Sequence, residues 1–258
     1  PIFGAALATC VAPCIGILIS STHFLRGKNS FRPVRCPLNG KQARGILSLG
    51  VSSLITEVSS GIVMLLFNQI LLSLSGNVGV AAYGIIANLA LIVVSIFTGV
   101  AQGIQPIVSR SFGSGQMRHV KQIFHYGVIT AAAFGLLFLG IGWFFSHSIV
   151  GIFNQENNLE MERLASQGLP LYFLAFPMMG VNILASSYLA SLSKGGPAFV
   201  LSVLRGAAAV IPAVLLLSRL FGITGVWLAV PCAEALTFLV FLAMLPFCFR
   251  RPQKGAGA

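Results

Sequence analysis

The sequence contains no aspartate, and its only acids are Glu57, Glu156, Glu160, Glu162 and Glu234. Charged residues make up 8% of the 258, where a soluble domain carries about 25%. Without aspartate, two-metal and Walker-B phosphoryl chemistry are not expected. There is no G-x-S-x-G, no H-E-x-x-H and no Gly-rich phosphate loop between a strand and a helix. His23, His119, His125 and His147 lie near the ends of apolar stretches and form no metal-ligand spacing. An enzyme is therefore not expected, nor a metal or other cofactor. Of five cysteines, Cys10 and Cys14 stand one helical turn apart with no His or carboxylate beside them, so neither a metal site nor a disulfide is expected.

What is present is apolar. Hydrophobic residues make up 56% of the chain and mean hydropathy is +0.91. Seven stretches, with rough limits 2–25, 46–74, 79–107, 123–149, 165–192, 197–218 and 222–249, are long enough to cross a bilayer. About 20 residues at 1.5 Å rise cover its hydrocarbon core. Barrel strands would alternate over about ten residues. The fold class is thus an all-α integral membrane protein with about seven transmembrane helices.

The formal charge of +11 would suggest nucleic acid, but its distribution argues against that. Arg26, Lys28, Arg32, Arg35, Lys41 and Arg44 fall in one connection. Arg110, Arg118 and Lys121 fall in another. Lys194 and Arg205 belong to a third, and Arg250, Arg251 and Lys254 to the tail. These connections alternate, so they share one side, while the other holds Arg163, Arg219 and three of the glutamates. The positive-inside rule puts the basic side, including the C-terminus, in the cytoplasm. Trp143, Phe144, Phe145 and Trp227 fall near outer span ends, as interfacial anchors do.

Two acids lie within spans, Glu57 and Glu234. An intramembrane carboxylate is a functional candidate, because a charge at the bilayer centre costs about 3 kcal/mol on insertion scales. At 100° per residue Ser53, Glu57, Ser60, Met64 and Asn68 share a face. Asn88, Ser95 and Gln102 repeat every seven residues, and Asn182 and Ser186 sit one turn apart. Several polar stripes, one with a carboxylate, suit a wet cleft, and single stripes would serve as glue between helices. A carboxylate in such a cleft can exchange a proton or Na⁺ for a cationic ligand, and the residues do not choose between the ions. Pro177, Pro212 and Pro231 fall inside spans, where they either kink a moving helix or are simply tolerated.

The segment "TGVAQGIQPIVSRSFGSG" (98–115) resembles the MATE (multidrug and toxic compound extrusion) family, whose Q-G-x-Q-P pattern Gln102, Gly103, Gln105 and Pro106 match. "ITEVSSGIVMLLFNQILL" is similar to the family's seventh helix, with Glu57 at its acidic position, and "GITGVWLAVPCAEALTFLV" to its twelfth. The flavour is that of the bacterial MepA-like branch. The resemblance implies twelve helices in two six-helix lobes around a central cleft. It makes 1–25 the last helix of the N-terminal lobe, 26–45 a basic cytoplasmic linker, 46–249 the C-terminal lobe and 250–258 a basic tail. It implies secondary-active multidrug efflux from the inner membrane of a bacterium, organic or amphipathic cations leaving in exchange for H⁺ or Na⁺. The partners would be those cations, the bilayer and an N-terminal lobe missing from this chain, which would not transport alone. Glu57 becomes the coupling carboxylate. Many members also carry an acid on the tenth helix, which 165–192 lacks, and Glu234 is the substitute this chain offers. The alternatives are a lipid-linked-precursor flippase of the same superfamily, which would need a basic cavity, and a non-transporting membrane scaffold.

Overall fold

The computed structural model describes residues 2–25, 40–154, 158–192 and 194–248. All but the last residues of the expected linker, and the whole basic tail at 250–258, lie outside them. The chain forms two compact units, Pro1–Leu47 and Ser48–Ala258.

The first unit contains helix α1 (Ile2–Leu25). Two of its hydroxyls bond backward to their own helix, Ser21 Oγ donating to Ile17 O at 2.8 Å and Thr22 Oγ1 to Ile19 O at 2.7 Å. An apolar solvent offers such groups no other partner.

The second unit is also helical and begins at Ser48, within helix α2 (Gly40–Gly113). Helix α2 is followed by α3 (Met117–Phe144), α4 (Ser146–Phe153), α5 (Leu159–Phe173), α6 (Phe176–Ser191) and α7 (Gly195–Val203). A π turn (Leu204–Ala208) then leads into α8 (Val210–Cys248). Among the described residues three stretches are long and apolar enough to cross a membrane: Glu57–Gly113, Met117–Phe144 and Gly195–Leu245. The pair α5 and α6, bent by 48°, makes a fourth if it is one span.

Two of these stretches double back. Phe67 and Tyr83 would lie about 24 Å apart along a straight helix, yet their rings stack with centroids at 5.2 Å. Between them Gly76 adopts φ 62°, ψ −155°. Arg205 and Glu234 would be about 43 Å apart, yet they touch, and Gly222 between them adopts φ 58°, ψ −133°. That region of backbone space is essentially restricted to glycine. Each reversal therefore takes one glycine where the sequence predicted short loops at 75–78 and 219–221, and helical hydrogen bonding runs up to both sides.

The packed sides of the two arms of α2 carry Phe67, Leu71, Ile86 and Phe97, and large buried side chains from the other helices, such as Phe176, Leu184 and Trp227, complete the core. Helices α3 and α6 approach so closely that a Cβ on Gly135 would lie 2.5 Å from the Pro177 Cα. Pro177 opens α6, where a missing N–H costs nothing. Pro212 cannot bond the carbonyl of Ala208, the last residue of the π turn, which gives that turn a local cause.

At the end of α3, Trp143, Phe144 and Phe145 are exposed, as anchors would be. Trp227 is not. It is 2% exposed and stacks on Tyr83 with centroids at 6.4 Å, so it is a core residue. Hydropathy placed it near a span end without showing which way the ring turns. The start of α5 is capped locally: the Asn158 side chain accepts from the N–H groups of Glu160 and Met161, and Glu160 and Glu162 occupy the first turn of α5, where the helix dipole favours acids.

Candidate functional site

Glu234 sits on the second arm of α8 and is 2% exposed. Its Oε1 accepts from Arg205 Nε at 3.1 Å, and its Oε2 accepts from Asn182 Nδ2 at 2.7 Å. The same Nδ2 donates to the backbone carbonyl of Glu234 at 2.9 Å. Three segments thus converge on one carboxylate: α8, α6 and the π turn. Each partner answers a need of a buried charge. Arg205 neutralises it, and Asn182 satisfies the second oxygen that a single ion pair leaves bare.

The geometry also fixes the amide. Both groups facing Asn182 Nδ2 are acceptors, so the nitrogen must point at Glu234 and the oxygen away. Asn182 Oδ1 then has no donor, although the residue is fully buried. One turn further along α6, Ser186 Oγ is buried and likewise unpartnered. Tyr172 on α5 is buried within electrostatic reach of Glu234 and Arg205. Thr237, one turn after Glu234, donates to Ala233 O at 2.9 Å. The site is a charge-compensated carboxylate, and α6, which supplies one of its partners, carries two unsatisfied neutral oxygens.

The other residues picked out by the sequence lie elsewhere. Glu57 is exposed and forms no ion pair among the described residues. Ser60 is exposed, Met64 is 56% exposed and Asn68 is half-buried, and with Leu54, Val58, Ile62 and Leu65 also exposed the stretch of α2 around Glu57 is open on most sides. The Ser53 side chain lies outside the described residues. Asn88 and Ser95 are exposed and bond their own helix, Asn88 Nδ2 to Gly84 O and Ser95 Oγ to Leu91 O, both at 2.8 Å. Gln102, Gly103, Gln105 and Pro106 are exposed near the end of α2. A cavity of about 270 Å³ is lined by His147, Glu162, Arg163 and Ser166, and one of about 490 Å³ by Lys121, Phe124 and His125. Neither is lined by Glu234. The described residues hold no group of three or more His, Cys, Asp or Glu side chains able to bind a metal.

Arg205 as the partner of Glu234 escaped the sequence reading. The signal was there: Arg205 and Glu234 are opposite charges within the last two spans, and in lipid each lacks any better partner.

Fold and site define a polytopic helical membrane protein with a buried, compensated carboxylate. Comparison with known proteins then gives its kin. The MatE family model matches residues 50–216, more than half of the chain, and the chain belongs to that family. It is 26% identical over 245 residues to the multidrug export protein MepA of Staphylococcus haemolyticus (strain JCSC1435), covering 94% of this chain and 53% of that protein. Against MepA of Staphylococcus aureus (strain NCTC 8325 / PS 47) the identity is 25% over 250 residues, with 95% and 53% covered. The chain therefore spans about half the length of the curated relatives it matches. Its fold superposes on a mutant of the Vibrio cholerae MATE transporter VcmN with a TM-score of 0.81 at 19% identity, covering 97% of this chain and 56% of that one.

Proposed function

We propose that the full-length protein is a secondary-active multidrug efflux antiporter that exports organic or amphipathic cations in exchange for H⁺ or Na⁺. The observation that carries this reading is the buried Glu234, compensated by Arg205 and Asn182, in a chain built to cross a bilayer. A carboxylate held in a low-dielectric interior binds one positive charge well and two poorly. Occupancy by the exported cation and by the coupling ion then exclude each other, which is the elementary requirement of antiport. The printed name of the relatives, multidrug export protein, supports the direction and the breadth of substrate.

Glu57 is the second coupling carboxylate in this reading. It lies on an exposed face of the first arm of α2, together with Met64 and the half-buried Asn68. A bare carboxylate facing lipid is costly. That face suits the cleft wall, with an N-terminal lobe opposite. By the positive-inside rule, Arg110, Arg118 and Lys121 support a cytoplasmic position for that end of α2 and α3. The flippase alternative gains nothing here, because Arg205, the basic side chain it would use, is committed to Glu234.

The test expresses the gene product, with any coding sequence upstream of Pro1 included, in an efflux-deficient bacterium. Ethidium accumulation is compared for wild type, Glu57→Gln and Glu234→Gln at matched membrane expression. Accumulation falling below the empty host in wild type and returning to host level in either variant is the expected result, and omitting Na⁺ then selects the ion. Equal accumulation in wild type and host counts against the reading.

A further inference from the structure

We infer that Arg205 is a tethered counter-cation: it holds the Glu234 carboxylate as an internal ligand, and the positively charged group of an organic cation binds by displacing it. The inference rests on the efflux reading and adds to it a specific site and the residue the ligand must displace.

The pair is asymmetric. The Glu234 side chain is 3% exposed and the Arg205 side chain 24%. Arginine is the outer member and covers the carboxylate. One hydrogen bond, Nε to Oε1, links the two, whereas the strong arginine–carboxylate pairs are two-pronged. A single-point contact at a partly open position is one that an incoming cation can replace.

The backbone under Arg205 is suited to letting go. It belongs to the five-residue π turn, which contains Gly206 and is followed by Pro212. A π turn holds one more residue per closed ring than the α-helix on either side, so rewinding it moves the side chain around the axis without unfolding the span. Asn182, by contrast, is fixed at both acceptors and fully buried, so it stays on Glu234 when Arg205 leaves.

The space exposed by that departure is furnished for a cation. The freed Oε1 is a bare carboxylate oxygen, and the adjoining α6 carries two further oxygens, Asn182 Oδ1 and Ser186 Oγ, both buried and without partners. Two of these three oxygens can only accept while Glu234 is ionised, and serine can accept. An anion would meet the carboxylate and an amide oxygen, with only the Ser186 hydroxyl able to donate. The exchange also keeps the interior neutral, since one positive charge replaces another. Simply losing Arg205 would strand a buried carboxylate, which is strongly unfavourable.

The experiment measures ethidium binding to purified full-length protein in detergent by fluorescence anisotropy. If Arg205 competes with the ligand, Arg205→Gln should bind ethidium at least about tenfold more tightly. Arg205→Lys should stay within about threefold of wild type, and the Arg205→Gln/Glu234→Gln double variant should lose the gain. Unchanged or weaker binding by a folded Arg205→Gln protein overturns the inference while leaving efflux intact. No binding by wild type takes down the efflux reading with it. A second measurement needs no variant: amide hydrogen exchange across 204–208 in wild type should speed up when ethidium binds. Exchange that is unchanged or slowed overturns the inference, even if Arg205→Gln fails to fold.

Discussion

Asn182 grips Glu234 twice with one nitrogen, at the carboxylate (2.7 Å) and at the backbone carbonyl (2.9 Å). The amide therefore ties α6 to α8 at the depth where the charge is buried. Replacing it with leucine keeps the volume and removes both bonds. Asn182→Leu should destabilise the protein by about 2 kcal/mol, the range for hydrogen bonds to charged groups. Thermal unfolding in detergent, compared with wild type, reads this directly.

Glu57→Gln should behave differently. The carboxylate is exposed and makes no ion pair among the described residues, so stability should change by less than about 0.5 kcal/mol. Transport should nonetheless be lost. Glu57→Gln that unfolds several degrees lower than wild type would show that the side chain holds the fold instead.

The reversal at Gly222 has a conformational requirement that alanine does not meet. Gly222→Ala should cost about 1–3 kcal/mol. Gly140→Ala is the control: it lies within α3, nothing stands within 4 Å of its added Cβ, and it should be neutral or stabilise by up to about 1 kcal/mol. Paired unfolding measurements on the two variants separate backbone strain from the general effect of a glycine.

Gly135→Ala tests packing in place of conformation. Its Cβ would fall 2.5 Å from the Pro177 Cα, which is backbone and cannot rotate away. The helices α3 and α6 must part, at about 1–3 kcal/mol. A loss under about 0.5 kcal/mol would mean that the two helices are less tightly seated than described.

The two ends of α3 should face opposite sides of the membrane. Its 28 residues span about 42 Å, more than the hydrocarbon core. In a cysteine-free background, a cysteine placed at Arg118 should resist a membrane-impermeant maleimide added to whole cells, and one placed at Ser148 should react. The reverse pattern would invert the charge-based topology.

Helix order was legible from hydropathy because each span must satisfy its own backbone hydrogen bonds in lipid, which leaves little else for a long apolar stretch to be. The glycine reversals were legible only as gaps, since a loop and a single left-handed glycine interrupt hydropathy in the same way. Glu234 stood out as a charge in an apolar run, and Asn182 by its one-turn spacing from Ser186. Nothing in their local sequence said that they meet, because the contact crosses 52 positions and depends on how α6 and α8 face each other. Trp227 was misplaced for the same reason: a residue's depth along a helix can be read from its neighbours, but its azimuth needs the packed partner, here Tyr83. Asn88 and Ser95 show a further gap, since periodicity put them on one face and the structure shows each bonded to the carbonyl four residues earlier.

The glycine reversals at Gly76 and Gly222 also constrain how the chain can be made. With no spare residues between two arms, the first cannot settle across the bilayer while the second waits in water, because the joint has no slack to bridge the interface. Each pair is therefore expected to enter the membrane together as a hairpin, the two arms joined in the folded protein by contacts such as Phe67 on Tyr83. A reporter domain or epitope inserted at either glycine would break that step, whereas the turn between α2 and α3, with Ser114 and Gln116 exposed, offers room for one.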